Sequence, residues 1–153
     1  MKVSVSHKKI KGGFGGIALR MKNDRKNVAV GVLKGAGSYP SGGPSIASVA
    51  HWNSEGTDRI PSRPFIKQTL AKKKQLYIRM LAIITRLTLQ GSVGAGRARR
   101  NLGIRGELDV KQTIKSLKTP RNADSTIARK GFDDPLIHTK KLLNVISWQE
   151  EDV

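Results

Sequence analysis

The sequence contains no cysteine, few aromatic residues and no long apolar run. The absence of cysteine excludes a disulfide framework, a cysteine-based zinc site and a thiol nucleophile. Aromatic residues form only 5% of the chain and 16 residues are glycine, which predicts a modest core and long loops. The apolar run from Leu81 to Ile84 is far too short to span a bilayer, and the first residues show no signal-peptide pattern. We therefore expect a soluble protein of intracellular origin with no membrane partner.

Acidic residues are also scarce. The 153 residues include 29 lysines and arginines but only 11 aspartates and glutamates, so the formal net charge is +18 at pH 7. This length fits a single domain, residues 1–153, that can bury a core without covalent cross-links. A basic excess of this size favours a polyanion or an acidic protein surface as the partner.

The charge is distributed unevenly along the chain. Residues 1–34 carry a net charge of +8 and residues 66–121 carry +12. Residues 35–65 have no net charge, residues 122–148 carry +1, and residues 149–153 carry −3. This alternation separates surfaces of the protein rather than domains, because no linker or internal repeat interrupts the chain.

The first half of the chain predicts one strand and two short helices, the first of them at 17–22. Residues 1–16 are basic and rich in glycine, so we expect a flexible basic arm. β-Branched residues predict a strand at 27–33, and the glycines and proline that follow predict a loop at 34–43. Helix-start and helix-stop residues predict a short helix over 46–56.

Two long helices are predicted next. Pro61 and Pro64 hold an extended segment, after which an apolar stripe predicts a helix that runs to about Gln90. The stripe consists of Ile66, Leu70, Tyr77, Leu81, Ile84 and Leu87. A second amphipathic helix begins near Arg97 and ends before Pro120.

The last part of the chain predicts short elements. Helical turns are expected at 125–130 and 139–145, followed by a strand around 146–148 and an acidic tail at 149–153. The elements together predict an α+β fold, in which a small, mainly antiparallel sheet packs against two long helices.

Residues typical of catalysis are few and scattered. The three histidines have no partner at the spacing of metal ligands, and Asp133 and Asp134 precede Pro135 as in a turn. The glycine clusters at 12–16 and 91–97 match neither a dinucleotide fingerprint nor a P-loop. We therefore expect no enzyme activity, no catalytic residue, no bound metal and no cofactor.

Clusters of basic residues lie on the two long predicted helices. The side chains that we expect to contact DNA or an acidic partner are Lys72, Lys73, Lys74, Arg97, Arg99 and Arg100. Each phosphate contact would make binding weaker at higher salt. A solvated basic helix face explains the same residues equally well, since few aromatic residues are available to stack on bases.

Two segments of the sequence resemble a known family. The first, residues 46–70, contains Asn-Ser-Glu-Gly-Thr and then Ile-Pro-Ser-Arg-Pro-Phe. The second, residues 125–148, contains Thr-Ile-Ala-Arg-Lys-Gly and then Pro-Leu-Ile-His-Thr-Lys. Together they resemble the tail-completion, or head-to-tail joining, family of tailed bacteriophages. Ser54 stands where that family has glutamate, and residues 138–140 stand where it has Asp-Thr-Gly.

The resemblance implies motif or interface roles for residues of both segments. In the first segment these are Asn53, Glu55, Gly56, Thr57, Ile60, Pro61, Arg63, Pro64 and Phe65. In the second they are Thr126, Ile127, Lys130, Gly131, Pro135, Leu136, Ile137, Thr139, Leu142 and Ile146. We further expect Phe65 to anchor the long helix in the core, and Arg63 to pair with a carboxylate such as that of Glu55 or one on a neighbouring subunit.

The resemblance also implies a function. It implies a non-enzymatic structural protein of the virion neck, assembled in the host cytoplasm, whose copies form a closed ring through head-to-tail contacts. The expected neighbours are a head connector, adaptor or stopper protein and a tail terminator or tail tube protein, with genomic DNA in the lumen. The alternative is a sequence-independent nucleic-acid-binding protein that uses its basic arm and helices.

Overall fold

A computed structural model of the protein describes residues 13–152. The elements in this range are α1 (Gly13–Asn23), β1 (Lys26–Val32), α2 (Ile46–Glu55), α3 (Phe65–Leu89), α4 (Gly94–Ser116), α5 (Asp124–Lys130), α6 (Lys141–Val145) and β2 (Ile146–Asp152). The predicted α+β class is confirmed, with two long helices and a small antiparallel sheet. Residues 1–12 of the predicted arm lie outside the described residues, and residues 13–16 belong to α1.

Helices α3 and α4 form an antiparallel hairpin. The hydroxyl oxygens of Thr69 and Thr113 lie 2.7 Å apart across it, and Tyr77 donates a hydrogen bond to Asp109 farther along. The chain reverses at residues 90–93, where Gly91 has a φ of +65°. Glycine adopts this left-handed conformation without steric cost, which explains its position in the turn.

The two strands pack on α4 at a pair of glycines. Strands β1 and β2 are antiparallel, with Val30 opposite Trp148. A β-carbon added to Gly103 would lie 2.2 Å from the Trp148 ring, and one added to Gly106 would lie 3.0 Å from a Val30 methyl group. Glycine inside a helix costs about 1 kcal/mol relative to alanine. The close approach of the sheet explains why α4 has glycine at both positions.

The core lies between the hairpin, the sheet and α2. Its most deeply buried side chains include Phe65, Ile114 and Ile146. The other members of the cluster are Ile46, Ala50, Val110, Leu117, Leu136 and Leu142. The predicted role of Phe65 as the anchor of the long helix is confirmed, since its side chain is almost fully buried.

The apolar stripe predicted on α3 is only partly buried. Leu70 and Leu81 are about half exposed, whereas Thr69 is buried. The reason is that α4 covers the side of α3 that carries Thr69, while Leu70 and Leu81 line a groove beside β1. The predicted acidic tail also differs, because its residues 149–152 form the second half of β2 and pair with β1. Over the described residues, no helix combines the length and apolar character needed to cross a membrane.

Candidate functional site

The two segments that resemble the phage family line one cleft. The first segment contributes part of α2 and the extended residues 59–63, and the second contributes α5, the turn after it and the start of α6. The cleft has a volume of about 980 Å³. Segments that are distant in the sequence therefore build a single surface feature.

Arg63 joins the two sides of this cleft. Its side chain is 3% exposed, and its Nε and Nη2 atoms donate hydrogen bonds of 2.8 and 2.9 Å to the main-chain carbonyls of Pro120 and Arg121. Its own main-chain N–H donates a 2.7 Å hydrogen bond to the carbonyl of Asn53 in α2. One buried residue thus connects the end of α2, the start of α3 and the loop after α4.

The pairing of Arg63 with Glu55 that the sequence predicts is not formed. Glu55 instead accepts a 2.8 Å hydrogen bond from Lys67, which lowers the pKa of the Glu55 carboxyl. Burial lowers the pKa of Arg63, and the Asp133 carboxylate partly offsets this shift through its charge. Among residues 13–152 no ion pair reaches Arg63. Its desolvated charge therefore favours entry of an anion into the cleft.

Asp133 fixes the loop whose carbonyls hold Arg63. Its Oδ1 atom accepts hydrogen bonds of 3.0 Å from both the main-chain N–H and the side-chain amide of Asn122, and Arg121 approaches the other oxygen at 3.4 Å. The main-chain hydrogen bond from Asn122 is the largest cause of the lowered pKa of Asp133. The carboxylate therefore positions Arg63 indirectly, by holding residues 120–122 in place.

Lys130 reaches the cleft from the last turn of α5. Gly131 ends this helix in the left-handed conformation, at a φ of +78°. The Lys130 ammonium donates a 2.6 Å hydrogen bond to the carbonyl of Asp134 and lies 4.9 Å from the centre of the Phe132 ring. Burial lowers the pKa of Lys130. The glycine stop and these contacts together fix the position of its charge.

The cleft is strongly basic. The cationic side chains that line it are Arg59, Arg63, Arg121, Arg129, Lys130, Lys140 and Lys141. No acidic side chain of the described residues lines it. Apolar side chains that are at least partly exposed, such as Ile60, Pro61 and Pro135, also line it. This arrangement suits an anionic group that also carries apolar atoms.

The motif residues divide into those that line the cleft and those that shape the fold around it. Lining residues are Asn53, Ile60, Pro61, Arg63, Thr126, Lys130, Pro135, Leu136, Thr139 and Leu142. Gly56 ends α2 at a φ of +86°, and an added β-carbon there would lie 3.0 Å from the nitrogen of Ser62. Thr57 and Ile60 close the next turn through main-chain hydrogen bonds, and Pro64 precedes α3.

The basic residues predicted on the long helices lie away from the cleft. Lys72 and Lys74 are exposed on α3, and Arg97 and Arg100 are exposed on α4. None of them lines the cleft. The structure therefore separates the predicted polyanion-binding residues from the motif residues.

Two of the predicted basic contacts have partners within the chain. The Lys73 ammonium lies 3.9 Å from a carboxylate oxygen of Asp109. The Arg99 side chain is only 12% exposed, and its guanidinium lies 2.9 Å from Asp24 and 3.6 Å from Glu150. The charge of Arg99 is thus engaged by two carboxylates of its own chain.

Most cations of the cleft were missed by sequence reasoning. Arg59, Arg129, Lys140 and Lys141 lie in segments whose net charge is close to zero, and Arg121 is the last residue of a basic segment. None of their acidic neighbours in sequence lines the cleft, although Asp124 and Asp133 pair with Arg121. A count of cations alone near the two motifs is the signal that could have identified them.

Within the described range, no cluster of three or more histidine, cysteine, aspartate or glutamate side chains could hold a metal ion. Comparison of the chain with protein-family models, curated proteins and solved structures finds no match.

Proposed function

We propose that this protein is a structural, non-enzymatic subunit of the neck of a tailed-phage virion. Copies of the chain form a ring around the DNA path, between the head connector or stopper and the tail terminator or tail tube. The observation that carries the proposal is that both family-like segments line one basic cleft, with the buried Arg63 of the first segment bonded to the loop that precedes the second. A joining protein acts through such recognition surfaces and needs no catalytic group.

The mixed lining of the cleft favours an acidic protein segment as its ligand. A DNA backbone offers phosphates and sugars, which match the cations but leave the apolar surface near Ile60 and Pro61 uncovered. An acidic segment with apolar side chains matches both, as in the apolar centre and polar rim of protein interfaces. We therefore assign the cleft to a neighbouring neck protein and not to the genome.

The test is a complementation experiment in the phage that encodes the chain. Loss of the gene should leave DNA-filled heads and tails that do not join, and the wild-type chain should restore complete particles with ring density at the neck in electron microscopy. The cleft variant Arg129→Glu with Lys140→Glu should fold but fail to join heads to tails. The matched control, Lys72→Glu with Lys74→Glu, changes the same charge on α3 and should restore joining. Complete particles without the chain, or its absence from the neck, would contradict the proposal.

Sequence-independent DNA binding is the second candidate. The observation that favours it is that the hairpin carries the exposed cations Lys72, Lys74, Arg97 and Arg100. Titration of duplex DNA at several salt concentrations tests it, since each phosphate contact contributes a log–log slope of about −0.9. A steep slope that becomes shallower in the variant Lys72→Glu with Lys74→Glu, together with no ring formation, would favour DNA binding over a role as a neck protein.

A further inference from the structure

Both strands of the sheet have an open edge. The sheet has two strands, so within residues 13–152 each strand is paired on one side only. In an antiparallel ladder, alternate residues direct their main-chain N–H and C=O groups away from the partner strand. Unpaired groups therefore lie along both outer edges, and such edges readily pair with another chain.

A groove follows the open edge of β1. Five consecutive residues, 26–30, line it, although neighbouring side chains of a strand point to opposite faces. Leu102, Gly106 and Val110 of α4 also line it, so the groove lies where β1 meets the helical hairpin. Its opposite wall is α3, with the half-exposed Leu70 and Leu81. A strand edge beside apolar side chains is the form of a site that accepts an added strand.

The ends of the two strands carry complementary charges. Arg25 and Lys26 are exposed at the start of β1, and Glu151 and Asp152 are exposed at the end of β2. In the described part of the chain none of these four residues forms an ion pair. Although Lys26 lies opposite Asp152 within one copy, no ion pair holds these side chains, so their charges can also contact a second copy of the chain.

We propose that β2 of one copy adds to the open edge of β1 in the next copy, so that the sheets of all copies join into one antiparallel sheet around the ring. This inference rests on the ring assembly proposed above. If the strands run along the ring axis, rotation from one copy to the next leaves the direction of each strand unchanged. The β2 strand of one copy is therefore antiparallel to the β1 strand of the next, as the two strands are within one copy. The neighbour's Glu151 and Asp152 then lie beside Arg25 and Lys26. Closure of the ring removes every open edge.

Disulfide cross-linking tests this contact directly, because the chain has no cysteine of its own. Ala29 lies opposite Gln149 within one copy. If Ala29→Cys and Gln149→Cys are placed in separate chains, no disulfide can form inside a chain. An equimolar mixture of the two variants should give disulfide-linked pairs under oxidation, because a disulfide requires Cα atoms within about 7 Å.

Two further β2 variants and one control complete the experiment. Ser147→Cys and Glu151→Cys, each mixed with Ala29→Cys, cover registers shifted by two residues on the same face of the sheet. Gln112→Cys places a thiol on an exposed position of α4 and should give at least tenfold less cross-linking with Ala29→Cys. Native mass spectrometry of the unmodified chain records the oligomer under the same conditions.

Each outcome decides the proposal. A ring in which Ala29→Cys links to a β2 variant supports it. A ring without links to any β2 variant overturns the strand contact but leaves the neck function standing. Links of Ala29→Cys to itself show β1 pairing with β1 across a twofold axis, which also overturns it. A monomer without cross-links overturns both the strand contact and the ring.

Discussion

The Nε atom of Arg63 donates a 2.8 Å hydrogen bond to the carbonyl oxygen of Pro120. This bond connects the extended segment before α3 to the loop after α4, two parts of the chain that border the cleft. Because the guanidinium is buried and binds a second carbonyl, of Arg121, its loss affects both stability and the shape of the cleft.

Replacement of Arg63 should destabilise the protein strongly. We expect Arg63→Ala to lower the free energy of unfolding by about 3 kcal/mol, because it removes two hydrogen bonds from a charged donor and leaves two carbonyls with fewer partners. Arg63→Lys should lose about half as much, since an ammonium cannot reproduce the planar fork. Urea unfolding measures both. The exposed Arg59→Ala is the control and should stay within about 0.5 kcal/mol of wild type; an unchanged midpoint for Arg63→Ala would disprove the role.

Alanine at Gly103 should disrupt the contact between the sheet and α4. Its β-carbon would lie 2.2 Å from the Trp148 ring, so the sheet or the helix must move. We expect Gly103→Ala to destabilise the protein by roughly 1–3 kcal/mol despite the better helix propensity of alanine. Gly96→Ala is the matched control in the same helix, because the nearest atom to its β-carbon is 3.9 Å away. It should stabilise by roughly 0.5–1 kcal/mol. Thermal unfolding of both variants tests this prediction, and equal changes in stability would refute it.

Tyr77 should make the fold sensitive to alkaline pH. Burial is the main cause that raises its pKa, and a 3.0 Å hydrogen bond to Asp109 raises it further. The unfolded chain releases this proton near pH 10, whereas the folded chain keeps it. The contribution of Tyr77 is therefore complete below pH 10 and is lost as the pH rises above it. Urea unfolding from pH 8 to pH 11 should show a smaller decline for Tyr77→Phe than for wild type, and parallel curves would exclude this role.

Asp133 should make the same fold sensitive to acid. Its pKa is lowered, mainly by the main-chain hydrogen bond from Asn122. A carboxyl group with a lowered pKa stabilises the folded state above its unfolded pKa, about 3.9, and loses this contribution as the pH falls through the folded value. Asp133→Asn should reduce the acid-dependent loss of stability below pH 4, measured by thermal unfolding. Asp58→Asn, an exposed substitution with the same change in charge, is the control and should follow the wild-type curve.

Local sequence signals located β1 and the helices that follow it well, whereas α1 begins four residues before the predicted helix at 17–22. Ser45 accepts a hydrogen bond from the N–H of Ser48 at the start of α2, and Gly56 ends that helix as predicted. Pro64 and Gly131 mark ends of helices in the same way. These predictions succeed because capping and proline geometry depend on a few neighbouring residues only.

Burial and pairing along the same elements were harder to predict. The side of α3 that is covered depends on where α4 packs, so Thr69 is buried while Leu70 is half exposed. Residues 149–152 were predicted as an acidic tail because their charge suggests solvent, but pairing with β1 makes them a strand. The sequence around Gly103 and Gly106 does not predict the need for glycine. That need arises because Trp148 and Val30 of the sheet approach the helix closely at these two positions.

The sequence by itself determined the order of the helices, the basic excess, and the two segments that resemble a phage family. Only the tertiary structure decided which charges share a surface. The net charge of a sequence segment sums the charges of side chains that point in all directions. Acids such as Glu55 and Asp133 therefore cancel, in that sum, the charges of the cations beside them in the sequence. The fold engages these acids with Lys67 and Asn122, and it gathers Arg129 and the cations of distant segments in one cleft.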